Sequence, residues 1–266
     1  MDAAEPLRGT ARRLRGHGRI IVALLLRELA TRYGRANLGF LWTVAEPLLF
    51  CVGVIGLWAV VKPPFEHGLK IVPFVVTGYM PIIMVRHMIN QSLGCVRSNG
   101  GLLYHRQITL THLFAARLSL EFAGVSAAFA VVVLVLVLLG QTAPPADLLL
   151  LYGGWSLLAW LSAALALVLG AISELAEAVE RVVGLFTYLL VPLSGTFYMV
   201  AWLPEPFRKA VLYLPFIHPV EMIRGGFFGS AARTYYDPAY AAAWAAGLTV
   251  LGLLLLLLVR RRVEID

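Results

Sequence analysis

The run VSAAFAVVVLVLVLL at residues 125–139 contains no charged side chain. A water-soluble domain has no need of such a stretch, and the rest of the chain has a similar character. Of its 266 residues, 60% are hydrophobic and 14% are charged, against about 45–50% and about 25% in soluble domains. A globule of this length cannot bury so much apolar surface, so the composition predicts an integral membrane protein.

Six mostly apolar windows follow one another along the chain. The hydrocarbon core of a bilayer is about 30 Å thick, so a spanning helix needs about 20 such residues. The sequence therefore predicts an all-α protein with six transmembrane helices. The second window holds Pro73, Pro81 and Arg86, and we expect its helix to be broken or to end near Arg86. The windows are 40–61, 71–91, 115–139, 148–171, 182–200 and 240–259.

Basic residues are distributed unevenly over the segments between these windows. The segments that would share one side of the membrane hold 16 of the 22 Lys and Arg residues, including Arg260–Arg262, and the opposite side holds six. Because positively charged loops stay in the cytoplasm, both termini are expected there, in a bacterial inner (cytoplasmic) membrane. The net charge of +7 lies in these segments and not in a patterned basic domain, so we expect no nucleic-acid partner.

Residues 19–35, before the first window, have a moderately amphipathic pattern. The pattern predicts a helix that lies in the membrane surface, where arginine meets anionic headgroups. Ile20 and Leu24 interrupt the pattern. The predicted apolar face consists of Val22, Leu26, Leu29 and Tyr33, and the predicted polar face consists of Arg27, Glu28, Thr31, Arg32 and Arg35.

Two further segments outside the windows are unusually apolar. In residues 97–112 a turn signal, Gly100–Gly101, is followed by Leu102, Leu103 and Tyr104. These side chains indicate either a contact with a partner protein or a loop folded onto the bilayer surface.

The segment 203–229 combines several prolines with aromatic residues. It is too apolar for a free loop and too interrupted for a span. The pattern favours short re-entrant helices that dip part-way into the membrane, which requires cover by protein or by a water-filled cavity.

The motifs of several enzyme classes are absent from the sequence. It contains no G-x-x-x-x-G-K-[ST] phosphate loop, no G-x-S-x-G nucleophile elbow and no H-x-x-x-H pair. Cys51 and Cys95 have no metal or redox spacing. Glu174, Glu177 and Glu180 recur every third residue and are interpreted as a solvated helix start. No metal or cofactor is expected on this chain.

Charges inside the windows are few. Glu46 and Glu121 stand near the starts of the first and third windows, and no internal repeat accompanies them. A proton-coupled carrier would need paired charges within the spans, and a membrane enzyme acting on lipid-linked sugars would need clustered acidic or His residues. Both stay open as alternatives, but a permease powered by a separate subunit is the simpler interpretation.

Three further motifs stand out in the sequence. They are LRELATRYG (26–34) with LGFLW (38–42) and Glu46-Pro47, then LYHR (103–106) with Ala116-Arg117-Leu118 and Glu121, then LPFIHPVEMIR (214–224). These motifs resemble those of the type-2 ABC exporter permeases, and in particular the capsular polysaccharide exporters among them. The resemblance covers nearly the whole chain, and the first motif is the most specific. In the third motif Leu214-Pro215 replaces the family's Asn-Pro, and Pro219 follows the histidine.

This resemblance implies a set of partners. Two copies of the permease would pair around a central path, and two copies of a nucleotide-binding ATPase, carrying ATP and Mg, would dock on the cytoplasmic face. A periplasmic adaptor and an outer-membrane channel would extend the route. The substrate would be a lipid-linked acidic polysaccharide of the capsule; the alternatives within the family are an O-antigen, a teichoic acid or a small drug.

The resemblance also implies roles for named residues. The cytoplasmic entrance would be lined by Arg27, Arg32, Arg35, Tyr33, Phe40, Trp42 and Glu46. Its arginines would bind phosphate or carboxylate, or alternatively anchor to headgroups. Its aromatic rings would stack on sugars, or alternatively belong to the interfacial belt.

Two further groups complete the implied roles. The ATPase-coupling group is Leu102, Leu103, Tyr104, His105 and Arg106, with Tyr104 inserted into the ATPase. The periplasmic gate is Trp202, His218, Glu221 and Arg224. The spacing of the last three predicts that His218 meets Glu221 and that Glu221 meets Arg224 on one helix, where they would brace the cap.

Overall fold

The computed structural model describes residues 4–33, 39–104, 107–176 and 178–263, and this part of the chain is almost entirely helical. The prediction of an all-α protein is confirmed; the exception is a hairpin of two-residue strands, β1 (Phe65–Glu66) and β2 (Leu69–Lys70). The helices are α1 (Ala4–Tyr33), α2 (Gly39–Val61), α3 (Ile71–Ser92), α4 (Leu110–Leu138), α5 (Leu148–Leu175), α6 (Ala178–Leu193), α7 (Glu205–Val211), α8 (Ile217–Phe228) and α9 (Pro238–Val263).

Five of the six predicted windows fall on helices, whereas the window 182–200 extends past the end of α6 at Leu193. The helices also differ in how well they suit a bilayer. Within the described ranges, four have the length and apolar composition of a membrane span, namely α3, α4, α5 and α9. In α2 the apolar stretch over described side chains is Val44–Trp58, and α6 has 16 residues with Pro192 near its end. A membrane protein is therefore established, while the count of six spans stays a prediction.

Helix α3 runs without a break to Ser92, so the expected end near Arg86 is wrong. Pro73 lies in the first turn, where the missing N–H has no helical partner to lose. Pro81 lies inside the helix, but the surrounding helices cover this region; Met80 and Ile82 on either side are buried. Arg86 therefore belongs to the helix and not to the following loop, where the charge count placed it.

Helix α5 is the centre of the packing and contacts α3, α8 and α9. Glycines allow its backbone to approach α8 closely. A Cβ atom on Gly154 would lie 2.8 Å from Cβ of Met222 and 2.9 Å from the backbone N of Ile223. Because such contacts are shorter than carbon atoms tolerate, the residue at 154 has to be glycine for this crossing.

The first helix differs from its prediction in length and in orientation. It begins at Ala4 and not near residue 19, and it packs against α4. Leu24 is buried and Ile20 packs beside it, whereas Val22 and Leu26 are 56% and 59% exposed. The residues that seemed to interrupt the pattern therefore form the protein-facing stripe. Two of those assigned to the apolar face point away from the protein, and their contact with the membrane surface stays a prediction.

The segment before α9 consists of short helices, as the prolines predict. A 3₁₀ turn (Val200–Trp202), α7, α8 and a second 3₁₀ turn (Gly229–Ala231) follow one another. The buried residues of α8 extend from Ile217 to Phe227. The two short helices expected within 203–229 are present, and their entry into a membrane stays a prediction.

Candidate functional site: a braced loop and a buried polar helix

The loop between α3 and α4 presents one exposed aromatic ring on a packed base. Its first part is a 3₁₀ helix, Arg97–Leu102. Leu102 and Leu103 pack against the apolar cluster around Leu24, whereas Tyr104 is 90% exposed. The structure thus describes three residues of the predicted coupling group, Leu102, Leu103 and Tyr104. His105 and Arg106 lie outside the described residues. We call residues 97–104 the α3–α4 loop below.

Glu174, at the end of α5, holds the start of this loop. One carboxylate oxygen, Oε1, accepts a hydrogen bond from the backbone N of Val96 at 2.7 Å, and Oε2 lies 3.5 Å from Nε of Arg97. Arg97 also pairs with Glu180. The solvated position expected for Glu174 is wrong, because its side chain is 3% exposed, and Glu177 lies outside the described residues.

A buried ion pair joins α1 to α4 beside the loop. Nε of Arg117 lies 2.9 Å from Oε1 of Glu28, and both side chains are largely buried. The Arg117 guanidinium also donates to the carbonyl of Gln91 and to Oγ of Ser98. Glu28 was predicted on the polar face of an interfacial helix; its position inside the protein corrects that interpretation.

Arg27, a predicted entrance residue, contacts the loop directly. Its Nη1 donates to Oδ1 of Asn99 at 2.8 Å, and Asn99 is buried. Arg27 itself stays exposed, so its remaining N–H groups face outward. Trp42 is exposed and Glu46 is half-buried, while Arg35 and the side chains of Arg32, Tyr33 and Phe40 lie outside the described residues.

Two histidines add a second link between α1 and α4. The backbone N of Thr109 donates to Nδ1 of His112 at 3.1 Å, which leaves the proton of neutral His112 on Nε2. That Nε2–H donates to Nδ1 of His17 at 2.8 Å. The start of α4 is thereby tied to α1 by a hydrogen bond with a defined direction.

Helix α8 carries three ionisable residues that bind the backbone of neighbouring segments. Glu221 accepts hydrogen bonds from the backbone N of Val200 at 3.3 Å and of Tyr235 at 3.0 Å. The Arg224 guanidinium donates to the carbonyls of Thr196 and Tyr198. Arg224 is fully buried, and its guanidinium lies 4.5 Å from the ring centroid of Phe74.

The third residue, His218, links both ends of the same segment. The backbone N of Asp237 donates to its Nδ1 at 2.9 Å, so its Nε2–H donates to the carbonyl of Leu212 at 2.9 Å. The predicted pairing of the three side chains is present only as a long contact of 3.9 Å between Glu221 and Arg224. His218 binds the backbone on both ring nitrogens and not Glu221.

Burial dominates the acid–base properties of this group. It raises the pKa of Glu221 and lowers that of Arg224, and the charge of each residue partly offsets the effect on the other. Burial also lowers the pKa of His218, in keeping with a neutral ring that accepts at one nitrogen and donates at the other. The fourth predicted gate residue, Trp202, stacks on His67 at 4.5 Å between ring centroids and packs against Phe74.

The arrangement holds loops in place and offers no reactive group. Among the described residues no group of three or more His, Cys, Asp or Glu is placed to hold a metal ion. Sequence reasoning missed Arg97, Arg117 and Glu174, and it counted Arg86 as a loop residue. The available signal was a charge at or near the end of an apolar window, where a buried partner is the usual reason for its presence.

The chain belongs to the ABC-2 type transporter family, whose model matches residues 19–228. Membership makes it a transport permease and not an enzyme, and it places ATP hydrolysis on a separate ATPase subunit. An all-α membrane protein without a phosphate loop in its sequence fits that division of labour.

The names of several relatives mention export or transport of polysaccharide. The capsule polysaccharide export inner-membrane protein CtrC of Neisseria meningitidis serogroup B is 37% identical over 235 residues, 88% of this chain and 89% of the relative. BexB of Haemophilus influenzae, with the same description, is 36% identical over 238 residues, 90% of each chain. The polysialic acid transport protein KpsM of Escherichia coli is 25% identical over 204 residues, 77% of this chain and 79% of the relative.

Proposed function

We propose that this chain is the membrane-spanning subunit of an ATP-driven exporter that moves lipid-linked capsular polysaccharide across the bacterial inner membrane. The observation that carries the proposal is the similarity to CtrC and BexB, which extends over about nine-tenths of each chain. Similarity over the whole length includes both the α3–α4 loop and the α8 segment. An O-antigen, a teichoic acid or a small drug remain the alternative substrates.

The topology that we propose has six spans, α2, α3, α4, α5, α6 and α9, with both termini in the cytoplasm. In support, α2 has 23 residues, enough for a span at 1.5 Å per residue. An even number of spans also keeps Arg260–Arg262 and the basic α1 on the same side. The short helices α7 and α8 would then lie on the periplasmic side as a re-entrant cap of the exit.

The assembly that we propose contains two copies of this chain and an ATPase dimer. The outward sides of α2 and α6 carry large exposed apolar residues, among them Phe50, Leu57, Leu185 and Leu189, which a second copy would cover. A periplasmic adaptor and an outer-membrane channel would receive the polymer. Arg27, Trp42 and Glu46 would lie at the cytoplasmic entrance. The other predicted entrance residues, Arg32, Tyr33, Arg35 and Phe40, would join them there, although their side chains lie outside the described part of the structure.

The α3–α4 loop is the proposed contact with the ATPase. The exposed ring of Tyr104 stands on a base held by Leu102 and Leu103, so a force applied to the ring reaches the packed core. ATP and Mg would be bound by the partner and not by this chain.

Substitution of Tyr104 tests the coupling contact. Tyr104→Asp places a charge where an apolar ring would be buried, so we expect export to fall at least about tenfold. The expected result is ATP turnover that no longer depends on transport in the complex co-purified with its ATPase. Tyr104→Phe, which keeps the ring, is the matched control and should export normally. Normal export by Tyr104→Asp would contradict the assignment of the loop.

Reconstitution tests the function itself. The chain, purified with the ATPase encoded nearest to it, is placed in proteoliposomes and supplied with ATP and lipid-linked oligosialic acid or lipid-linked O-antigen. We expect ATP-dependent movement of the acidic glycan and little movement of the O-antigen. Equal transport of both would exclude specificity for capsule, and transport of neither would reject the proposed function.

A further inference from the structure

Helix α3 is almost completely covered by its neighbours, apart from one narrow stripe. Between residues 71 and 89 only four side chains are not buried: Val72, Tyr79, Arg86 and His87. His87 lies 3.2 Å from Glu121 of α4, which accounts for its position. The remaining three recur every seven residues, so they lie on one face of the helix.

This stripe lies between α2 and α6. Tyr79 packs against the cluster that contains Cys51 of α2, and the Arg86 guanidinium lies 4.5 Å from the ring centroid of Tyr188 on α6. The ring of Tyr188 is exposed. The stripe is therefore a half-buried strip between two helices that both contact α3. We call this strip the groove; it is apolar near Val72 and becomes polar towards Arg86.

Arg86 has no counter-ion among the described residues. Its Nε atom is buried and has no hydrogen-bond partner. Its position is six residues before the end of α3, or about 9 Å along the helix axis. An arginine inside a span is costly and usually pairs with an anion or lines a polar path. A cation–π contact with one tyrosine ring offsets only part of that cost.

We infer that Arg86, covered on one side by Tyr188, is an anion-binding residue in the transport path, where it binds the phosphate or carboxylate groups of the lipid-linked glycan as they pass. The inference rests on the proposed function. A planar guanidinium pairs in a bidentate manner with either anion. The aromatic ring covers one side of the guanidinium, and the Arg86 side chain is only half-buried, so a ligand can reach it.

Other side-chain clusters in the molecule give weaker support for a ligand site. The rings of Trp58 and Trp202 have neighbours on more than one side, Phe197 and Lys62 for the first and His67 and Phe74 for the second. They offer a sugar no free stacking surface. The charged residues around the α3–α4 loop are bound to other side chains or to the backbone. Among the described residues of the proposed spans, Arg86 differs from them in having a half-buried guanidinium without an acidic partner.

The test measures binding of three fluorescent probes to the complex of this chain with its ATPase in nanodiscs, without ATP. All three probes carry a dialkylglycerol lipid. The first bears a neutral oligosaccharide without phosphate, the second bears the same sugar through a phosphate, and the third bears oligosialic acid without phosphate. The preference for the second or the third probe over the first shows whether phosphate or carboxylate is bound.

We expect the wild-type complex to bind at least one anionic probe about tenfold more tightly than the neutral probe. Arg86→Gln should abolish this preference and leave binding of the neutral probe unchanged, and Arg86→Lys should retain part of it. Tyr188→Leu leaves the charge in place and should reduce the preference about threefold. It also provides a second readout should Arg86→Gln fail to fold.

Arg233→Gln is the matched control, because Arg233 also stacks on a tyrosine, Tyr235 at 5.2 Å, but lies outside the groove. If Arg86→Gln keeps the full preference for the anionic probe, the inference is wrong. That result is expected if Arg86 pairs with bilayer phosphate or with the second copy instead of the glycan. Failure of the wild-type complex to bind any of the three probes would instead reject the proposed function.

Discussion

Glu221 and Arg224 show at the scale of single residues how a charged pair is accommodated inside this protein. Each is bound mainly by backbone groups, Glu221 by two N–H groups and Arg224 by two carbonyls. A third position is adapted to them: a Cβ atom on Gly78 would lie 2.7 Å from Nη2 of Arg224. The pair therefore fixes the turn after α6 and the strand-like segment before α9 onto one helix.

Removal of the Glu221 carboxylate should destabilise the chain strongly. Glu221→Ala leaves the buried Arg224 guanidinium without its acidic neighbour and two N–H groups without acceptors, so we expect a loss of about 3–5 kcal/mol. The measurement is the temperature at which the purified protein in detergent loses its monodisperse peak. Glu205→Ala, which removes an exposed partner of Lys209, is the control and should change little. An equal effect of both would show that the backbone bonds of Glu221 are unimportant.

At the scale of elements, the crossing of α5 and α8 depends on a small residue. Gly153 and Gly154 are neighbours in α5, but only the second faces the backbone of α8. The two glycines allow a comparison, on one helix, between a position with room for a Cβ atom and a position without it.

Gly154→Ala should force α8 away from α5 and reduce stability by about 1–3 kcal/mol. Gly153→Ala is the control, because its Cβ atom would lie 3.8 Å from Cε of Met222, an ordinary contact. The same heating assay in detergent compares the two variants. If Gly154→Ala were as stable as the control, the close approach of the two helices would have to be wrong.

Some elements could be predicted from the sequence because the signal is local. Five of the six apolar windows coincide with helices, and the prolines between 203 and 229 indicate short ones. The window 182–200 extends past the end of α6 at Leu193. The partners of Arg27 and Glu28 could not be predicted, because Asn99 lies 72 positions away and Arg117 lies on another helix. The protein-facing stripe of α1 could not be predicted for a related reason: its residues around Ile20 to Leu26 are apolar on nearly every side, so periodicity does not decide which side meets the protein.

At the scale of the whole molecule, the proposed six-span arrangement assigns each loop to one side of the membrane. Cys51 and Cys95 are buried, so a cysteine introduced at an exposed position reports accessibility. We expect Ala143→Cys and Tyr213→Cys, both at exposed positions, to react with an impermeant maleimide in cells with a permeabilised outer membrane. Tyr104→Cys should react only after lysis. Labelling of Tyr104→Cys in intact inner membranes would invert the topology.

The attachments of the α3–α4 loop determine how motion spreads from it. Arg27 binds the loop from α1, Arg117 from α4 and Glu174 from α5. A displacement imposed at Tyr104 would therefore reach all three helices, because the loop is bound to each of them. If the proposed ATPase contact lies at this ring, one ATP-driven movement would shift α1, α4 and α5 together.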